Sequence, residues 1–239
     1  MGTSETPRAT PFLTPEMILS PGGTFLMGKD ASRKDESPAH RVTVGSFRAA
    51  VSPVTNAEYA LYVAATGAAP APFLDDERFA SPSQPAVGPS WFDAVAYANW
   101  LADLTGIPFR LPTEAEREFA ALGGRSGGDW PWAGTEHPIA PEIAAMDRPH
   151  PPSAACANGY GLRCMAENVH EWCNDWYAAD YYASSPVESP AGPGPTRRKA
   201  SRGGSWRHRE KVTRINARSS LDPSFHYADF GFRLYADGE

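Results

Sequence analysis

Three segments of this chain are punctuated as helices, and they confine regular helical structure to its first half. Thr55 and Glu58 stand in capping-box spacing, Tyr59, Tyr62 and Val63 follow at i, i+3 and i+4, and Gly67 supplies a left-handed stop. Ser90 and Asp93 open a second helix that carries Tyr97, Trp100, Leu101 and Leu104 on one face and stops at Gly106. Thr113 and Glu116 box a third, running through Leu122. Outside these segments the chain is aperiodic, and 24 prolines and 21 glycines in 239 residues imply turns and irregular segments.

Strands are expected to be short. Apolar residues surround Pro21-Gly22-Gly23 between Met17 and Leu26, and Arg41-Val42-Thr43-Val44 alternates, so two strands joined by the charged loop 29–37 are predicted. Further candidate strands lie at 168–172, 200–206 and 230–235. Residues 123–157 are rich in Gly, Pro and Ala, and Trp130-Pro131-Trp132 is expected to anchor a long loop there. Residues 1–15 read as a poorly ordered lead-in and 16–239 as one α+β domain, with no internal repeat.

A net charge of −6 gives no global electrostatic reason to bind nucleic acid or an anionic membrane, and neither is expected as a partner. The basic run Arg197, Arg198, Lys199 and Arg202 reads as a solvated loop. No basic and apolar leader and no membrane-length apolar stretch is visible, so a cytoplasmic location is expected. Cys156, Cys164 and Cys173 are odd in number and lack CxxC spacing, which favours reduced thiols over a disulfide framework or zinc site.

Several blocks in order resemble the formylglycine-generating enzyme (sulfatase-modifying factor) family. They are Gly22-Gly23-Thr24-Phe25-Leu26-Met27-Gly28, Val54-Thr55-Asn56, Phe109-Arg110-Leu111-Pro112-Thr113-Glu114, Asn158-Gly159-Tyr160-Gly161-Leu162, Glu167-Asn168-Val169-His170-Glu171-Trp172, Arg202-Gly203-Gly204-Ser205-Trp206 and Gly231-Phe232-Arg233. The resemblance implies that family's irregular α+β fold, related to C-type lectins. It also implies oxidation chemistry at two copper(I)-binding thiolates just after the glycine-glycine-serine block, where soft sulfur ligands suit the ion. Here the stretch from Ser205 to Ser219 contains no cysteine, so copper is not expected. A structural calcium site is implied at Glu167, Val169 and Glu171, but Cys164 stands where the family has an asparagine, a poor exchange for a cation that takes oxygen ligands.

The expected function is therefore a diverged oxidoreductase-family enzyme acting on a small molecule or peptide, with a non-catalytic ligand- or partner-binding module as the alternative. Candidate catalytic residues are Ser205, His208, His226 and Tyr227, with His208 a general base or metal ligand. Trp206, Arg207, Arg209 and Asn216 are candidate substrate contacts, while Arg218 and Arg233 are assigned to fold-supporting ion pairs. His170-Glu171 invites comparison with HExxH zinc helices, but Asn174 occupies the second histidine's place. The identity of any other transition metal and the need for a partner protein stay open.

Overall fold

The computed structural model describes residues 14–132, 145–208 and 212–238. All three helices fall where their caps place them: α1 Asn56–Thr66, α2 Trp91–Thr105 and α3 Glu114–Leu122. Each has a complete capping box, at Thr55/Glu58, Ser90/Asp93 and Thr113/Glu116, and each ends on a glycine in the left-handed conformation. Local chemistry thus fixes both ends of every helix, by satisfying the orphan N–H groups and admitting the reversed C-terminal residue.

Among the described residues, nine strands form three small sheets. The first contains β1 Met17–Ser20, β4 Phe47–Ala50 and β9 Tyr235–Asp237, antiparallel in the order β1-β4-β9. The second is the hairpin of β2 Gly23–Met27 with β3 His40–Val44. The third is β7 Ser219–Leu221, β6 Lys199–Arg202, β5 His170–Trp176 and β8 Phe230–Gly231, in that order, with β5 and β8 parallel.

The predicted hairpin forms, but the segment 17–26 is two strands in different sheets. Gly22 makes the break at φ 69°, and a Cβ there would lie 2.5 Å from the Gly45 backbone. The strand expected at 168–172 begins later because Asn168 sits at φ 81°. The one expected at 200–206 ends at Arg202, where Gly203 and Gly204 take φ 100° and 65°, and the one expected at 230–235 divides into β8 and β9. Residues 1–13 of the expected lead-in and 133–144 of the expected loop lie outside the described residues. The Trp130 and Trp132 rings stack at 5.4 Å, and Arg125 donates to both their carbonyls.

One aromatic core packs Tyr59, Tyr62, Tyr97 and Phe232 between α1, α2 and the sheets, and a second surrounds Phe47, Phe119 and Tyr235. Among these apolar groups lie four arginines that are fully buried: Arg117, Arg202, Arg218 and Arg233. Buried charge of this kind persists only when paired. Arg202 and Arg218 both donate to Glu114 Oε1, at 2.9 and 2.7 Å, and Arg117 and Arg233 both engage Glu171. Burial alone would raise the Glu114 and Glu171 carboxyls, but the facing guanidiniums outweigh it and hold both below the usual range.

The basic run is not a solvated loop throughout. Arg197 and Arg198 are exposed, but Arg202 lies in the ion-pair core and Lys199 is buried, its Nζ 4.0 Å from the ring centres of Trp91 and of Trp176. The cation replaces hydration with two aromatic faces and a hydrogen bond of 2.7 Å to the Asn174 carbonyl.

Candidate active site

Strand β5 is buried along most of its length, and its first residue, His170, is set by its neighbours on both sides. Parallel pairing with β8 aligns His170 with Phe230, and the His170 N–H donates to the Asp229 carbonyl at 2.9 Å. On the other side, β6 ends in the Gly203-Gly204 turn, which carries Ser205 and His208 back over β5. A Cβ on Gly204 would lie 2.4 Å from the Thr213 side chain, so the close return of this turn depends on glycine.

The result is a polar cluster. His170 Nε2 lies 3.1 Å from His208 Nδ1, the Ser205 hydroxyl lies 3.0 Å from the same nitrogen, and that hydroxyl is 3.2 Å from Asp229 Oδ2. A carboxylate only accepts, so the Ser205 proton is directed to Asp229. The hydroxyl oxygen is then free to accept from His208, and the single His208 Nδ1 proton lies between that oxygen and the His170 Nε2 lone pair. Ser205, His170 and Asp229 are buried, whereas the His208 side chain is 42% exposed. Burial, reinforced by His208, pushes the His170 imidazole down to about 3, so it is neutral at physiological pH.

The pair opens into a cleft of about 240 Å³, lined also by Arg33, Tyr177, Arg198, Arg218 and Ser220. Arg33 pairs with Asp35 and Arg218 with Glu114, while Arg198 uses its guanidinium on the Ser220 hydroxyl and carbonyl. Among the described residues no cysteine lines this cleft, and Cys164 and Cys173 are buried elsewhere with thiols that burial raises far above the usual range. A larger cavity of about 500 Å³ between β2 and α3 is lined by Phe25, Phe119, Tyr160 and Arg125, with no histidine, cysteine or carboxylate among the described residues of its wall. The smaller cleft therefore holds the reactive groups.

Of the catalytic candidates, the structure brings together Ser205 and His208. His226 is turned elsewhere: its Nδ1 donates to the Gly88 carbonyl at 2.7 Å and lies 4.0 Å from Asp93, at the start of α2. Tyr227 stacks on Phe225 and, among the described residues, meets the cluster through the ring of Phe230. The histidine that meets His208 is His170, discounted on helical spacing but placed by a strand. Asp229 carried no local signal, since only the parallel pairing of β5 with β8 brings it there.

Trp206 packs on Phe79 and donates to the Ala228 carbonyl, and Arg207 lies over the Trp206 ring. Asn216 is buried and accepts from Arg214, which also holds Glu36, so it serves the fold more directly than a ligand. Arg209 lies outside the described residues. The expected calcium set does not suit that ion. Both Glu171 oxygens accept from guanidiniums, so a dication there would face Arg117 and Arg233. The Glu167 carbonyl already accepts from the Val169 N–H, and burial raises the Glu167 carboxyl to about 7. Close by, donor atoms of His150, Cys164 and Glu167 lie within 4.8 Å of one another, a nitrogen, sulfur and oxygen set foreign to calcium.

The family model for the sulfatase-modifying factor enzyme 1-like domain matches residues 3–237. The formylglycine-generating enzyme of Streptomyces coelicolor is 32% identical over 297 residues, a match that covers 98% of this chain and 93% of that protein. The serine/threonine-protein kinase pkn1 of Chlamydia pneumoniae is 34% identical over 252 residues, covering 96% of this chain but 39% of pkn1, so the likeness is to part of that protein. Among solved structures, PvdO from Pseudomonas aeruginosa superimposes with a TM-score of 0.81 at 28% identity, over 94% of this chain and 95% of PvdO.

Proposed function

The chain belongs to the sulfatase-modifying factor enzyme 1-like family, and we propose that it is a diverged enzyme of that family acting on a small molecule or peptide with an acidic group in the His170–His208 cleft. The observation that carries this reading is the contact of 3.1 Å between a buried, neutral imidazole and a half-exposed one at the mouth of the cleft. A buried histidine of fixed geometry orients the exposed ring, whose other edge faces the cleft as a general acid or base would. Ser205 and Asp229 complete the line of hydrogen bonds behind it.

The acidic group follows from charge. Arg33 and Arg218 are bonded to carboxylates, whereas Arg198 spends its donors on neutral oxygens of Ser220, with Asp222 acting on it only through space. Copper-dependent formylglycine formation is not proposed, because the cleft wall has no thiol to hold copper(I).

The test is product profiling. The purified protein and its His208→Ala variant are incubated with fractionated small-molecule and peptide extracts, and mass spectrometry follows what changes. A mass change made by the parent and lost in the variant supports the enzyme. A ligand retained unchanged by both supports a binding module instead.

A further inference from the structure

Three side chains from three separate stretches of chain bring donor atoms together beside the cleft that His170 and His208 line. We propose that His170 Nε2, His208 Nδ1 and a carboxylate oxygen of Asp229 form a site for one divalent transition-metal ion of the iron(II) and zinc class.

The donor atoms of these three residues all lie within 4.8 Å of one another. The two nitrogens are 3.1 Å apart, and His208 Nδ1 is 4.0 Å from Asp229 Oδ2. Bonds of about 2.0–2.2 Å to nitrogen and oxygen put neighbouring ligands roughly 3 Å apart, so the histidines stand at ligand spacing and Asp229 closes by roughly 1 Å. Two imidazoles and one carboxylate are the donor set that binds non-haem iron(II) with open positions, and a closely similar set binds catalytic zinc.

Two further features suit a cation at this point. Asp229 Oδ1 is buried with no hydrogen-bond partner among the described residues, an arrangement that costs free energy unless a positive charge compensates it. The two facing nitrogens have one proton between them, and an ion binding both lone pairs takes that proton's place. The neighbouring charges permit this. Of the three arginines in the wall, Arg33 and Arg218 are paired with carboxylates, which leaves Arg198 as the cation to be offset by an acidic ligand. The exposed side of His208 leaves the ion open to the cleft, as a catalytic rather than a structural site requires.

The inference rests on the same cleft as the proposed function but is tested without turnover. Metal-stripped full-length protein is titrated anaerobically with iron(II) and separately with zinc(II) by calorimetry, and with cobalt(II) followed by its visible absorption. One equivalent is expected, with affinity at least tenfold weaker in His208→Ala and in Asp229→Asn. Both variants are checked for fold by circular dichroism. Cys164→Ser is expected to retain the equivalent, which separates this site from the His150, Cys164 and Glu167 group. Absence of stoichiometric binding, or equal affinity in parent and His208→Ala, overturns the metal site. If no metal binds while conversion that depends on His208 persists, the site is overturned and the enzyme reading stands. Metal binding without conversion supports the site and removes the enzyme reading.

Discussion

Arg233 grips Glu171 from one side with both its Nε and its Nη2, at 3.1 Å to Oε2 and 2.8 Å to Oε1, while Arg117 takes Oε2 from the other side at 2.7 Å. All three side chains are buried, so each depends on the others for its charge. Glu171→Ala strands two guanidiniums in the core and is expected to cost about 3–5 kcal/mol of stability. A shift of the guanidinium chloride midpoint measures it. A loss below ~1 kcal/mol would mean that water reaches the arginines.

The same grip predicts the response to calcium. With Glu171 committed to arginine, the thermal midpoint is expected to be unchanged by added calcium or by chelation with EGTA. A rise with calcium concentration would show a binding site by mass action and refute this assignment.

Asp175 gives a pH signature. Burial, with Glu114 adding to it, raises its carboxyl to about 8, although it accepts from the Glu114 N–H. An unfolded aspartate loses its proton near ~3.9. Between those values the folded chain binds the extra proton, so this residue's contribution to stability falls as pH rises through the window and levels off above it. Asp175→Asn keeps the accepting oxygen without the charge. Its thermal midpoint is expected to gain on the parent from pH 5 to pH 8.5, and a constant difference would refute the shift.

Gly204→Ala tests the turn that delivers His208. At φ 65°, with Thr213 in the way, the variant is expected to lose roughly 1–3 kcal/mol and to move His208 off His170. Histidine ring resonances in NMR spectra report that movement directly.

Arg198→Ala should leave folding intact, since the side chain is exposed and bonds only to Ser220. A KM raised roughly tenfold with kcat unchanged is expected for an acidic substrate, consistent with loss of one charge-assisted contact. An unchanged KM would remove Arg198 from recognition.

The helices were legible because a capping box and a terminal glycine are written within a dozen or so residues, as Thr55, Glu58 and Gly67 illustrate. The sheets were not, because β1 and β2 read as one apolar segment and only distant partners divide them between two sheets. Ser205 and His208 were visible beside the family's glycine block. His170 has no helical-spaced histidine partner in the sequence, and Asp229 gives no sign because its place is set by strand pairing across the third sheet.

The pairing of β4 with β9 joins Phe47 to Asp237, across about four-fifths of the chain, and it lies beside the pairing of Arg110 with Tyr235. Closing so long a loop exacts its entropy before any contact repays it. Refolding should consequently be slow for a protein of this size, and substitutions in β9 should change its rate more than substitutions in the self-capped helices.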